Sequence, residues 1–143
     1  MIDFHQLPTV ALDFMNTEHQ EAVDIYNKIE HDLKLHDVDS VIAGILEMQQ
    51  HCIHHFAHEE QAMKTYQFPP YQVHKQAHDG VLMEIDMVVK QLQDHRTLSK
   101  ISGYIEHAFP SWFSHHLVTM DKMTAEFIAE QKRLSDINEK VCR

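Results

Sequence analysis

Four stretches of the chain repeat apolar residues at steps of three and four, the spacing that gathers side chains on one face of an α-helix. The first runs Leu12, Met15, His19, Ala22, Tyr26, Ile29 and Leu33, begins after Pro8-Thr9 and fades near His36-Asp37. The second runs Ile42, Ile45, Met48 or Gln49, Cys52, His55/Phe56, Glu59 and Met63, with Asp39-Ser40 placed to cap it. Pro69-Pro70 stops any helix there, because proline lacks the N–H and restricts the residue before it. The third face holds His74, His78, Val81, Ile85, Val88 and Leu92, and Arg96-Thr97 marks the next turn. The fourth holds Ile105, Phe109, Phe113, His116, Met120, Met123 and Phe127. Pro110 falls inside it and predicts a kink or a fresh start at the proline. No alternating strand pattern competes. Four amphipathic helices with short connections predict an all-α fold, an antiparallel up-down-up-down four-helix bundle. The polar stretch 131–143 is open between a short C-terminal helix and a frayed end. No composition break or linker interrupts the chain, so residues 1–143 read as a single domain.

Composition narrows the function classes. The chain has 143 residues, 43% hydrophobic and 24% charged, ordinary values for a folded domain. Twelve Lys plus Arg against 22 Asp plus Glu give a formal charge of −10, which disfavours nucleic acid and anionic membranes as partners. No apolar run approaches the length that spans a bilayer, and MIDFHQLPTV lacks the basic and apolar regions of a secretory signal. Cys52 and Cys142 lie far apart, so neither a disulfide framework nor a thiolate zinc site is expected, and a cytoplasmic location is the default.

Fourteen histidines do not fit a bland domain. Every inward face carries at least one: His19, His55, the His74/His78 pair at i, i+4, and His116. A lone histidine on an apolar face is usually a satisfied core residue. Five on four faces are another matter, since burying each imidazole unpartnered costs on the order of 1–3 kcal/mol. A metal would satisfy them together. Glu59, four residues after His55, points the same way. Asp121 is five after His116, a rotation of roughly 140° on a regular α-helix, so spacing supports it less. Glu21, Glu60 and Glu84 read as solvated faces. The other nine histidines read as surface or supporting residues, with His54 and His58 able to bind metal adventitiously.

Five imidazoles, two bridging carboxylates and a bridging oxygen fill all but one of the positions that two octahedral ions offer. Imidazole with carboxylate suits iron, and zinc or manganese less distinctively. One open position, with no obvious proton-delivery group, suggests binding of a small diatomic more than turnover. Other motifs fail: HExxH would need histidine at Ala62, no histidine has Glu three residues before it, and GxxxxGK[ST], GxGxxG and GxSxG are absent.

These residues resemble the hemerythrin family over roughly residues 10–130. HHFAHEEQAM is similar to that family's H-F-x-x-E-E-x-x-M, with His55 and Glu59 in the ligand places. FPPYQVHKQAH resembles its aromatic-Pro turn followed by H-x-x-x-H, matching His74 and His78. WFSHHLVTMD resembles W-[LF]-x-x-H-[IL]-x-x-x-D, matching His116 and Asp121, and His19 in NTEHQ resembles the first-helix histidine. The resemblance implies two iron ions (Fe2+/Fe3+) bridged by Glu59, Asp121 and an oxo or hydroxo oxygen. His74, His78 and His116 would hold one iron; His19 and His55 would hold the other, where O2 binds. It also implies an O2 pocket lined by Phe56, Trp112, Phe113 and Leu117. Three features depart from the family pattern. Ala22 stands where Leu or Ile is usual, which predicts a wider pocket and faster autoxidation. Pro110 precedes His116 by six residues, and NTEH lacks the D-x-x-H common in bacterial members.

The expected function is therefore reversible O2 binding without catalysis, for carriage or storage. Alternatives are a sensor input module coupled to an output domain, a di-iron enzyme consuming peroxide or nitric oxide, and a metal-free helical interaction module. The polar NEKVCR end bears on the second, since a following output domain would favour sensing and a chain ending at Arg143 carriage.

Overall fold

The computed structural model describes residues 1–142 and is an all-α four-helix bundle; among the described residues there is no strand. Helix α1 spans Asp13–Lys34, α2 Val38–Thr65 and α3 Tyr71–His95. The fourth, α4, runs without interruption over 102–141. Cross-bundle contacts fix the up-down-up-down order. Glu18 and Ile29 on α1 meet His55 and Gly44 on α2, and Glu60 on α2 meets His78 on α3. His19 and Tyr26 on α1 meet Asp121 and Ile105 on α4.

Several boundaries differ from the sequence reading. Asp37, not Asp39-Ser40, caps α2, its carboxylate accepting from the Ser40 N–H at 3.1 Å. Val41 rather than Ile42, and Val89 rather than Val88, take the buried positions. His36, Gln67 and Arg96 close the three loops' helix ends with positive φ of 52° to 56°, a conformation that favours glycine. The stretch beyond 131 is neither a separate short helix nor frayed; it continues α4 to Val141.

Pro110 produces no break. Instead the helix widens just before it, into a π-helical turn over Tyr104–Ala108 where the Phe109 N–H donates to the Tyr104 carbonyl five residues back. A second π-turn covers Leu117–Asp121. There the Thr119 hydroxyl donates to the His115 carbonyl at 2.6 Å, supplying a partner of the side-chain kind that bends helices. Each π-turn accommodates one extra residue. The face expected to continue through Met120, Met123 and Phe127 therefore slips by one, and Asp121, Thr124 and Ile128 are buried while Met123 is 61% exposed.

The apolar core has two parts. The larger gathers Ala22, Tyr26, Ile29, Ile45, Cys52, Phe56, Ile85, Phe109 and Phe113, among others. The smaller joins Val10, Leu12, Met15, Met63, Phe68, Ala125 and Ile128. A polar layer of buried His, Glu and Asp lies between them along all four helices. Gly44 lets α1 and α2 approach closely: a Cβ built on it would lie 2.6 Å from Ile29 Cγ1. Gly44→Ala should therefore lower stability by about 1–3 kcal/mol through overpacking. Gly80→Ala, where nothing lies within 4 Å, should raise it by roughly 0.5–1 kcal/mol through helix propensity. Thermal unfolding of the two variants side by side checks the opposite signs.

Candidate metal centre

The structure brings together all seven side chains singled out in the sequence: His19, His55, Glu59, His74, His78, His116 and Asp121, each buried. They form two ligand sets that share the two carboxylates. One is His19 and His55 with Glu59 and Asp121; the other is His74, His78 and His116 with the same pair.

The oxygens divide between the sets. His55 Nε2 lies 3.0 Å from Glu59 Oε2, and His19 Nε2 3.0 Å from Asp121 Oδ2. On the other side His78 Nε2 is 3.1 Å from Glu59 Oε1, while His74 and His116 Nε2 are each 3.1 Å from Asp121 Oδ1. Each carboxylate thus turns one oxygen to each set. Asp121 reaches this position because the π-turn carries it most of the way round from the 140° offset of a regular helix.

Second partners hold the rings from behind. Glu18 accepts from His55 Nδ1 through Oε1 and from His58 Nδ1 through Oε2, both at 2.8 Å. Glu60 accepts from His78 Nδ1 at 2.9 Å, and the Thr124 hydroxyl meets His74 Nδ1 at 2.8 Å. With Nδ1 carrying the proton, a neutral ring presents a bare Nε2 lone pair to the interior, as a metal requires. Glu60 is therefore not the solvated residue the sequence suggested, and Glu18 and Thr124 carried no signal in helical spacing. Their partners lie 37 and 50 positions away in the chain. The remaining histidines lie outside the cluster, His51 among them donating through Nε2 to the Glu18 carbonyl at 3.0 Å.

The electrostatics of the cluster are those of a cation trap. Burial and the Asp121 charge push Glu59 upward, yet the His55 and His78 rings outweigh them and hold its carboxyl below the usual range. Asp121 is likewise held well below it by His116, His19 and His74 against the cost of burial. Burial disfavours the charged form of His55, but Glu59 and Glu18 raise its pKa to about 10. Glu59 Oε1 and Oε2, His78 Nε2 and Asp121 Oδ1 are all buried without a hydrogen-bond partner. His74 and His116 also set two Nε2 atoms 3.1 Å apart. Unpaired oxygens and nitrogens gathered in a dry core leave cations to satisfy them, so the residues present fit a metal pair.

A cavity of about 20 Å³ adjoins His19, His55 and Asp121, room for one water-sized molecule. Ala22, Phe56, Trp112 and Phe113 line it, as do His51, Cys52 and Phe109, which the sequence reading did not place there. Leu117 does not line it and is buried in the larger apolar cluster. Burial, with the Glu59 charge behind it, raises the Cys52 thiol to about 12, whereas Cys142 is exposed. A chromogenic thiol reagent should accordingly label one sulfur per folded chain and the second only on unfolding.

No family model matches the chain. Two curated relatives do. A protein named bacteriohemerythrin from Aquifex aeolicus is 24% identical over 117 residues, covering 82% of this chain and 89% of its own. A second bacteriohemerythrin, from Ralstonia nicotianae, is 30% identical over 77 residues, 54% of this chain and 55% of its own. No helix among the described residues is long and apolar enough to cross a membrane.

Proposed function

We propose, from the hemerythrin-like family that these two relatives support, that this chain holds two iron ions and binds O2 reversibly. The observation that carries the reading is the sharing of Glu59 and Asp121 between two buried ligand sets, one oxygen turned to each. His74, His78 and His116 would hold one ion and His19 and His55 the other, with an oxo or hydroxo oxygen as a third bridge. The second set has fewer nitrogens, and the small cavity lies on its side. When bound, the iron pair supplies the electrons and the open position that O2 needs.

The chain's own residues do the rest. Glu18 and Glu60 keep His55 and His78 in the tautomer that faces inward. Phe56, Trp112 and Phe113 surround the cavity with apolar surface and so disfavour charged products leaving it. Outside the two ligand sets the cavity's ionisable neighbours are His51, tied through Nε2 to the Glu18 carbonyl, and Cys52, whose thiol burial keeps protonated, which favours binding over turnover. Ala22 leaves room beside His19 and Cys52, so autoxidation should be fast and Ala22→Leu should slow it. We assign the whole of residues 1–143 to one such domain.

Metal analysis with visible spectroscopy tests the reading. About two irons per chain and an absorption band that comes with air and goes under argon are expected. Zinc alone in the purified protein, or an iron spectrum indifferent to oxygen, would overturn it.

A further inference from the structure

A second cavity, also of about 20 Å³, lies in the larger apolar cluster away from the metal layer. All four helices line it: Ile29 from α1, Met48 from α2, Ile85 and Val88 from α3, Tyr104 and Phe109 from α4. Most of these are buried, while Val88 and Tyr104 are half-buried and form its outward rim. Tyr26, which also lines it, turns its hydroxyl away to the Ile105 carbonyl at 2.8 Å. Only Tyr104 among the lining side chains has an unpaired polar atom. An ordered water needs two to four polar partners, so this space is dry, and dry apolar cavities take up apolar atoms and small molecules.

Phe109 lines both this cavity and the one beside the metal ligands. Its ring stacks on Tyr26 at 6.0 Å and lies tilted 6.3 Å from Trp112. The π-turn that precedes Pro110 sets where this ring stands.

We propose that the outer cavity is a docking site for a small apolar gas, the last stop on its way past Phe109 to the metal cavity. The site's volume admits one small molecule, its lining is apolar apart from the Tyr104 hydroxyl and carries no charge, and Val88 and Tyr104 are its least buried residues. The entry role rests on the O2-binding reading of the metal centre; the docking site itself does not.

Xenon, an apolar atom close to O2 in size, is the probe. Crystals of the full chain under xenon pressure, or 129Xe resonance in solution, should show xenon among Ile29, Ile85 and Phe109. Val88→Phe, which fills the rim, should remove that signal; Val88→Met repeats the test with a smaller change, and circular dichroism checks that both fold. Rapid mixing of the reduced iron protein with O2 should then show combination slowed several-fold in Val88→Phe and quickened in Phe109→Ala, with the final oxygenated spectrum of Val88→Phe unchanged. Ordered water or emptiness in place of xenon overturns the docking site. Loss of xenon with an unaltered O2 rate makes the cavity a dead end and overturns the entry role. Absence of any O2-dependent spectrum would strike the metal-centre reading and the entry role together, leaving the xenon result to decide the cavity.

Discussion

Stripping metal from the purified chain with a strong chelator should lower its melting temperature by about 25 °C. Each site saturated at a thousand times its dissociation constant adds about 4 kcal/mol, and two sites about twice that. A chain of this size gains about 3 °C per kcal/mol. The loss has a structural cause: without cations the buried oxygens of Glu59 and Asp121 face imidazoles that must take up protons instead. His55, raised to about 10, is protonated at neutral pH in the metal-free chain. Its contribution to metal-free stability is fully present below the ordinary imidazole value and fades as pH rises through about 10. Metal binding must displace that proton, so affinity runs the other way and increases with pH across the same window. The gap in melting temperature between loaded and stripped protein should therefore widen from pH 6.5 toward pH 10. Calorimetry on both forms at several pH values measures it; a gap absent at every pH would mean that the seven side chains satisfy one another.

The features most legible in the sequence were those that regular helices impose. The bundle followed from four faces of periodic apolar residues. His19, His55, Glu59 and the His74/His78 pair lay on those faces with no correction to the spacing. What departs from ideal geometry was hidden. The proline at 110 signalled trouble, yet its effect is a widened turn rather than a kink, because the helix accommodates the missing N–H by bonding five residues back. The slip from Met120 to Asp121 as the buried position has the same origin. Glu18, Glu60 and Thr124 escaped for another reason. Each touches its histidine across a gap between helices, and nothing in the periodicity of a single helix encodes its neighbour's register. Cys52 was read as core, which it is, but it also walls the metal-side cavity.

Asp121 offers the sharpest test of that hidden register. Asp121→Ala removes an oxygen from both ligand sets at once and should reduce metal retention by about 100-fold or more, exceeding what loss of a supporting partner costs. Placing the carboxylate one position earlier, as Met120→Asp in the Asp121→Ala background, restores the i, i+4 spacing to His116 that works for His55 and Glu59 on α2. On a regular helix that double variant should regain metal. On this one it should not, because the π-turn over Leu117–Asp121 brings the fifth residue after His116 into line and leaves position 120 half-buried at the outer groove with Thr119 and Met123. Metal per chain after dialysis against a competing chelator, with helix content followed by circular dichroism, distinguishes the two cases. Recovery of metal in the double variant would show that α4 binds in regular α-helical register, and the one-residue slip of its buried face would need another cause.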